Sequence, residues 1–225
     1  MSTRRRFVFV LGSAAALAAA LIVASQVGAS EATRAAAPPQ PSLFAGIPQH
    51  GAALGNPRAA VTLVEYADLQ CPYCAQWARA ALPTIVSEYV RSGRVRLVFR
   101  GLAFLGADSE LALRKVVAAG AENKQWNLLD ELYRRQGYEN SGWVSDELAP
   151  AAAAAGLHLS RLDRLAWSRG TTRAIAAVAR AAQEAGVQGT PSFQIGRTGG
   201  PLQLTRPASL DAAGIRPALD AALAR

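Results

Sequence analysis

The sequence predicts an α/β fold, and three observations support this prediction. The apolar run Val61–Tyr66 is typical of a strand that is buried on both faces. A helical stretch and a second strand at Val95–Phe99 follow it, an order that indicates a parallel strand–helix–strand unit. Helical patterns then continue from about residue 105 to 185, and strand character returns at Ser192–Ile195. We therefore predict an all-helical insertion between the second strand and the strand at 192.

The helix between the first two strands has a single apolar stripe. Its apolar residues recur three or four positions apart, which places them on one face of a helix. Pro83 should kink this helix because proline has no backbone N–H, and Ser92-Gly93 should end it. The stripe consists of Ala78, Leu82, Ile85, Val86 and Tyr89.

The end of the chain predicts a long helix, a short strand and a final helix. The long helix covers Thr171–Ala185 and stops at Gly186, and its apolar face is mostly alanine. Strand character then appears at Leu202–Leu204. The last helical stretch contains Gly214 and Pro217, which should interrupt it.

Residues 1–30 read as a leader. Arg4-Arg5-Arg6 precedes an apolar run from Phe7 to about Val27, the pattern of a signal peptide or of an N-terminal membrane anchor. The run is long enough to span a bilayer, yet it ends in small residues that suit a signal peptidase, so both outcomes stay open. Either outcome places the remaining chain outside the cytoplasm, where a pair of thiols meets oxidising conditions.

Residues 31–44 are rich in proline, lack periodicity and predict a flexible linker, which leaves 45–225 as one domain. The formal net charge of +8 includes the arginines of the leader. A nucleic-acid-binding surface would cluster the remaining basic residues, whereas the one dense basic stretch alternates with apolar residues. This alternation indicates the solvated face of a half-buried strand, and no nucleic-acid partner is expected. The stretch contains Arg91, Arg94, Arg96 and Arg100.

The two cysteines of the chain, Cys71 and Cys74, lie where the first strand gives way to a helix. Two thiols at this spacing can close and reopen one small disulfide. Unpaired backbone N–H groups and the helix dipole would stabilise a thiolate on Cys71 at the first position of the helix. Pro72 suits the first turn, where a missing N–H costs nothing. Cys74 should lie behind Cys71 and resolve the mixed disulfide that Cys71 forms.

A zinc site and a structural disulfide are the alternatives to a redox centre. Structural zinc takes about four ligands, and the chain adds only His50 and His158, which lack paired spacing. A bridge across two residues constrains almost no chain, so it would stabilise the fold very little. We therefore predict a redox-active disulfide between Cys71 and Cys74, without a metal.

Taken together, these features resemble the thioredoxin superfamily and, within it, the DsbA-like branch of exported thiol–disulfide oxidoreductases. The resemblance rests on the buried strand, Cys71-Pro72-Tyr73-Cys74, the middle helices and Gly189-Thr190-Pro191 before a strand, and it covers about residues 45–225. It implies a thioredoxin fold with a helical insertion at about 105–185 and an enzyme that forms disulfides in exported proteins. It also implies a membrane partner linked to quinone, and no nucleotide, flavin or other cofactor.

The resemblance assigns roles to residues that lie far from the motif. Pro191 matches the superfamily's cis-proline, which lies against the active-site disulfide and turns the neighbouring backbone towards a substrate chain. Thr190 would then lie beside the two sulfurs and modulate their hydrogen bonds. The residues expected to contact substrate are Thr190, Pro191, Pro72 and Tyr73.

An acidic residue also matches the superfamily pattern. Glu65 lies six residues before Cys71, at the position of the carboxyl group that the superfamily buries beneath the second cysteine. Burial raises the pKa of such a group, which lets it relay the proton that Cys74 must lose. Asp68 is interpreted as a loop residue.

Tyr73 departs from the strongly oxidising members of the family, which often carry histidine between the cysteines. Tyrosine brings no positive charge, so we expect Cys71 to have a pKa above the roughly 3.5 of a strong oxidant and nearer thioredoxin's roughly 7. A less stabilised thiolate makes a less oxidising disulfide. The direction of electron flow therefore stays open between an oxidase and a reductase or isomerase. A non-catalytic peptide-binding chaperone is a further alternative.

Overall fold

The structure is a computed structural model that describes residues 42–225. The predicted leader at 1–30 and most of the predicted linker at 31–44 lie outside the described residues. Among the residues that are described, no helix combines the length and the apolar character needed to cross a membrane.

The described residues form a six-stranded mixed sheet. Its strands are β1 (Gln49–His50), β2 (Ala53–Leu54), β3 (Val61–Ala67), β4 (Val95–Gly101), β5 (Ser192–Arg197) and β6 (Gln203–Thr205). They lie side by side in the order β1-β2-β4-β3-β5-β6. β3 and β4 are parallel, as predicted, and all the other neighbours in the sheet are antiparallel.

β3 is buried along its whole length, as its apolar sequence predicts. It lies between β4 and β5, so both of its edges are hydrogen-bonded. Alternate residues of β3 face two different apolar clusters, because successive side chains of a strand point to opposite faces. The larger cluster contains both cysteines, so this face of the central strand lies beneath the Cys71–Cys74 motif.

The connection from β3 to β4 is helical but irregular. It consists of α1 (Pro72–Ala80), α2 (Leu82–Ile85) and a π-helical segment (Val86–Val90). The predicted irregularity at Pro83 is confirmed, and the break lies at Ala81, just before the proline. Proline cannot donate to the carbonyl four residues earlier, and its ring crowds that carbonyl. All five residues of the predicted apolar stripe are buried.

The chain between β4 and β5 is helical, and the predicted insertion is confirmed. Its long final helix is more exposed than its alanine-rich face suggested, because only Thr171 and Ala182 are buried there. The insertion contains α3 (Ala107–Ala119), a short 3-10 helix (Gly120–Glu122), α4 (Gln125–Arg134), α5 (Trp143–Ala154), α6 (Leu159–Ala166) and α7 (Arg169–Glu184).

The final helix, α8 (Ala212–Leu223), is continuous, so the predicted interruption at Gly214 and Pro217 is wrong. Asp211 caps the helix by accepting a hydrogen bond from the Gly214 backbone N–H at 3.1 Å. Ile215 and Leu219 are fully buried. Burial of two such side chains contributes about 1.5–3 kcal/mol each, which offsets the roughly 3 kcal/mol that an internal proline costs.

The predicted linker boundary at residue 44 is also wrong, because the packed domain begins earlier. Phe44 is only 2% exposed, and its ring lies edge-on to Trp126 with the ring centroids 5.9 Å apart. Arg91 donates hydrogen bonds to the carbonyl groups of Leu43 and Ala45. Removal of the two apolar residues at the end of the proline-rich stretch from water is favourable, and it holds them on the domain.

The basic stretch alternates with buried residues as predicted, with Arg91 and Arg94 exposed and Arg96 and Arg100 half-buried. Arg100 lies over the ring of Tyr66, with its guanidinium carbon 5.4 Å from the ring centroid. Arg94 lies over the Tyr89 ring at 4.9 Å. These arginines therefore pack individually on aromatic rings, since a guanidinium group is attracted to the face of an aromatic ring.

Candidate active site

The loop between β3 and α1 presents the two cysteines. Cys71 is the N-cap residue of α1, with Pro72 in the first turn, as predicted. The Cys71 carbonyl accepts the backbone N–H of Ala75 at 3.2 Å, which begins the helix. Both cysteines are free thiols. Cys71 retains 5% of its surface exposed and Cys74 none, so only Cys71 is accessible to a substrate.

The surroundings of Cys71 favour its thiolate. They lower its pKa to about 6, and the largest cause is a hydrogen bond from the Cys74 thiol. Burial opposes this shift, whereas hydrogen bonds from Thr190 and from the backbone N–H groups of Cys74 and Tyr73 add to it. These backbone groups are the unpaired N–H groups of the helix N-terminus. The Cys71 thiol is therefore mostly ionised at neutral pH.

Cys74 has the opposite character. Burial raises its pKa well above the usual value for a thiol, and the hydrogen bond to Cys71 and the negative charges of Cys71 and Glu65 raise it further. The backbone N–H of Asp68 partly opposes the shift without a well-formed hydrogen bond, because a donor near the sulfur favours the thiolate. One cysteine of the pair is thus ionised while the other keeps its proton.

Glu65 lies on β3, between Phe99 of β4 and Phe193 of β5 in the strand register. It is 5% exposed, and its Oε1 atom makes no hydrogen bond within the described residues. Burial raises its pKa to about 8, the Trp77 indole partly opposes the shift without a well-formed hydrogen bond, and the charge of Cys71 adds to it. A neutral carboxyl group is therefore buried next to the two thiols at neutral pH.

The loop before β5 closes over the motif. The Thr190–Pro191 peptide bond is cis. The Cys71 sulfur lies 3.3 Å from the Thr190 carbonyl oxygen, to which it donates a hydrogen bond when it is protonated. A cavity of about 310 Å³ opens beside this loop. Its lining includes Gln188, Thr190, Pro191, Leu204, Arg206 and Pro207.

Exposed aromatic side chains lie in or near the motif loop between β3 and α1. Tyr73, between the cysteines, is 62% exposed, and Pro72 is exposed beside it. Phe104 is 55% exposed and Tyr138 is 89% exposed. The Phe104 backbone N–H is hydrogen-bonded to the motif loop. In the sequence, Tyr138 lies between two residues that are also hydrogen-bonded to this loop. The sequence analysis did not find Phe104 or Tyr138, because neither belongs to a motif or to an apolar stripe.

Asp68, interpreted as an ordinary loop residue, is completely buried. Its carboxylate accepts four hydrogen bonds, which tie the motif loop to the start of the insertion. The donors are the backbone N–H groups of Gln70 (2.9 Å), Phe104 (2.7 Å) and Leu105 (3.1 Å) and the hydroxyl of Ser109 (2.6 Å). An acidic residue between the apolar Ala67 and Leu69 was the available signal.

Two glutamines complete this attachment. Gln136, after α4, donates to the carbonyl groups of Leu69 at 2.7 Å and Cys71 at 3.1 Å. The Gln70 amide group donates to the side-chain oxygen of Asn140 at 3.2 Å and accepts the Asn140 backbone N–H at 2.6 Å. The insertion therefore holds the motif loop from one side, while the Thr190 loop contacts it from the other.

The two histidines do not join the cysteines in a metal site. His50 lies on β1, and His158 precedes α6. Within residues 42–225, no group of three or more histidine, cysteine, aspartate or glutamate side chains is placed to share a metal ion.

Comparison with known proteins relates this geometry to a family. The chain is 34% identical over 97 residues to a probable disulfide bond formation protein D from Bacillus anthracis. This match covers 42% of the chain and 45% of that relative, so it spans less than half the relative's length.

Solved structures extend the similarity over most of the chain. A thioredoxin-like oxidoreductase from Silicibacter pomeroyi DSS-3 is 30% identical, with a TM-score of 0.62 over 82% of this chain and 97% of that chain. The oxidised BdbD from Bacillus subtilis is 20% identical, with a TM-score of 0.68 over 78% of this chain and 94% of that chain. At 20% identity the second similarity shows the fold alone.

The predicted thioredoxin fold with its helical insertion is confirmed by these similarities. The thioredoxin family itself matches residues 48–200, which include β3, both cysteines, the whole insertion and Pro191. The chain therefore belongs to the thioredoxin family.

Proposed function

We propose that the chain is a protein thiol–disulfide oxidoreductase that forms disulfides in exported proteins. The observation that carries this proposal is the unequal pair of thiols. Cys71 is accessible and has a pKa of about 6, whereas Cys74 is fully buried with a raised pKa. A disulfide between them would be attacked at Cys71, because only that sulfur is accessible.

The proposed reaction has two exchange steps. A client thiolate attacks the Cys71 sulfur, the Cys71–Cys74 bond breaks, and Cys74 leaves with the electron pair. The neutral Glu65 carboxyl group, with its pKa of about 8, supplies the proton that Cys74 then takes up. A second client thiolate attacks the client sulfur of the mixed disulfide, and Cys71 leaves as a thiolate. The client loses two electrons, and the protein gains them as two reduced cysteines.

The low pKa of Cys71 favours the second step. A thiol of lower pKa is a better leaving group, so release of Cys71 from the mixed disulfide is fast. Stabilisation of the thiolate also lowers the free energy of the reduced protein, which favours transfer of the disulfide to clients.

Client proteins are proposed to bind across the exposed aromatic side chains and the cavity beside Thr190. Tyr73 and Tyr138 present aromatic rings with a polar hydroxyl, and Phe104 presents a purely apolar ring. Such a surface suits the apolar segments of an unfolded polypeptide, because burial of apolar surface requires no defined client fold. The cavity next to Pro191 would receive the client backbone that flanks the reacting cysteine.

The location and the electron acceptor belong to the same proposal. Arg4-Arg5-Arg6 and the apolar run after it support export or an N-terminal anchor, which would place the motif in an oxidising compartment. After each cycle the reduced protein needs a new disulfide. A membrane protein linked to quinone is the proposed oxidant, in keeping with a relative named for disulfide bond formation.

Oxidation of a reduced, unfolded ribonuclease by the full chain tests the proposal. Oxidised protein should convert client thiols to disulfides much faster than buffer alone, measured by thiol alkylation and mass spectrometry. The Cys71→Ser variant should lose all exchange. The Cys74→Ser variant, mixed with disulfide-containing ribonuclease, should accumulate a mixed disulfide, because the Cys71 thiolate attacks a client disulfide and no second thiol releases it. The proposal fails if the wild-type protein is no faster than buffer.

A reductase or isomerase is the second candidate. The observation that favours it is the pKa of Cys71 near 6, which is higher than that of a strongly oxidising family member. The reduction potential separates the two: a value near −270 mV, about that of thioredoxin, favours a reductase, and a value near −120 mV, about that of DsbA, favours an oxidase. A peptide-binding chaperone would keep its function in Cys71→Ser.

A further inference from the structure

Arg206 follows β6 and lines the cavity that opens beside the Thr190–Pro191 loop. In the antiparallel pairing of β5 with β6, Thr205 lies opposite Phe193. Continued by one residue, this register sets Arg206 opposite Ser192, which directly follows the cis-proline. The end of β6 therefore lies next to the loop that contacts the reactive sulfur.

Arg206 supplies the charge of this cavity. Among the described residues that line it, Arg206 alone is charged, and the others are glycine, proline, apolar or uncharged polar residues. Arg206 is exposed and makes no salt bridge within residues 42–225. Its guanidinium group is thus available to an anion from another chain. A carboxylate is the matching group in a polypeptide, because it can accept two parallel N–H bonds from arginine.

The cavity combines this charge with an apolar surface. Leu204 lines the same cavity and is 43% exposed. It lies two positions before Arg206, and alternate residues of an extended chain project to the same side. Pro207 favours extended backbone at Arg206, because the residue before a proline is disfavoured in helical conformations. An apolar and a cationic side chain therefore lie together beside the loop proposed to receive the client.

We propose that Arg206 is a specificity-determining residue that selects clients with an aspartate or glutamate close to the reacting cysteine. The inference rests on the proposed function and adds to it the class of client segment that the cavity favours. The client carboxylate pairs with the Arg206 guanidinium while the client thiolate reaches Cys71. Because the ion pair takes no part in the exchange between sulfur atoms, it acts on client binding and not on the reaction of the bound client.

The test is oxidation of short cysteine peptides by the oxidised full chain, measured as a second-order rate constant at low peptide concentration. The peptides are identical except for one residue, which is glutamate, glutamine or lysine. It lies two positions before the cysteine in one set and two positions after it in the other. Each rate constant is divided by that of the same peptide with bis(2-hydroxyethyl) disulfide, an uncharged reagent, which removes differences in the intrinsic reactivity of the thiol.

We expect the wild-type protein to favour glutamate over glutamine about threefold in at least one set, an effect typical of one solvent-exposed ion pair. The lysine peptide should react more slowly than either, and added salt should weaken the preference because it screens exposed charges. Arg206→Gln should abolish the preference. Arg206→Lys should keep part of it, since lysine retains the charge but not the paired N–H groups. Alkylation of Cys71 should keep its midpoint at about pH 6 in Arg206→Gln, because Arg206 is not among the groups that set this pKa.

Arg197→Gln is the matched control. Arg197 is also exposed and without a salt bridge among the described residues, and it lies at the end of β5 away from Pro191, where it lines a different cavity. This variant removes the same charge from the surface and should keep the wild-type preference.

The proposal is overturned if the wild-type protein shows no preference, if the preference survives Arg206→Gln, or if Arg197→Gln removes it equally. If the oxidised wild-type protein reacts with none of the peptides, the proposed function fails instead.

Discussion

The Thr190 carbonyl oxygen lies 3.3 Å from the Sγ atom of Cys71, although 119 positions separate the two residues in the chain. The contact joins the loop before β5 to the N-terminus of α1. It places the backbone that would bind a client directly beside the sulfur that would react with it. A hydrogen bond from the Thr190 side chain also contributes to the lowered pKa of Cys71.

Thr190→Val should raise the pKa of Cys71. Valine has nearly the same shape as threonine but lacks the hydroxyl, so the thiolate loses a donor. We expect the midpoint of iodoacetamide alkylation to move upwards from about pH 6 by less than one unit, because Cys74 and the backbone N–H groups remain. Thr198→Val removes a threonine hydroxyl that bonds Thr62 and serves as the control. A midpoint that stays in place would exclude a contribution from the Thr190 hydroxyl.

Glu65→Gln should stabilise the reduced protein at neutral and alkaline pH. The folded state raises the pKa of Glu65 from 4.5 to about 8, so between these values the unfolded chain binds fewer protons than the folded one. Stability from this group is therefore complete below pH 4.5 and is lost as pH rises towards 8. Glutamine does not titrate, so the variant should gain stability relative to wild type across this window.

Urea denaturation of both reduced proteins at pH 4, 6 and 8 measures this difference in stability. The titration of Cys71 affects both proteins, so it cancels in the difference. The same variant should exchange disulfides more slowly, because Cys74 loses its proton donor. A stability difference that is constant with pH would mean that Glu65 already ionises at its usual pKa.

Asp68→Asn should destabilise the motif loop. The carboxylate accepts four hydrogen bonds, and an amide replaces one acceptor oxygen with a donor. Each buried donor left without an acceptor costs about 1–3 kcal/mol, so we expect a clear fall in the free energy of unfolding. Asp108→Asn is the control, because its carboxylate accepts one hydrogen bond, from the Gly142 N–H. Equal losses in the two variants, measured in urea, would contradict the prediction.

Phe44→Ala should destabilise the domain even though Phe44 ends the proline-rich stretch. Its ring is 2% exposed and packs on Trp126, so truncation removes core packing. Substitutions of this kind cost about 3–5 kcal/mol. Exposed Phe104→Ala is the control and should change the free energy of unfolding very little. If Phe44 belonged to a flexible linker, both variants would unfold at the wild-type urea concentration.

Local pattern was enough to predict the strand–helix–strand unit, the insertion and the position of the two cysteines at the start of a helix. The apolar run of β3 and the spacing of Cys71 and Cys74 can each be recognised from a few neighbouring residues. Local pattern failed where packing outweighs propensity. Pro217 lies inside a continuous helix because its neighbours are buried, and Phe44 packs on the core despite the prolines before it.

By itself, the sequence identified the two cysteines as the candidates for sulfur chemistry, and the resemblance added a carboxyl group and a loop proposed to assist them. Only the tertiary structure decided how acidic each thiol is and what holds it. Burial and charge at Cys71, Cys74 and Glu65 depend on groups from β3, α1 and the loop before β5. The bonds of Asp68 to Leu105 and Tyr133 join residues 37 and 65 positions apart. No pattern among neighbouring residues of the sequence predicts such contacts, because they form only when the chain folds.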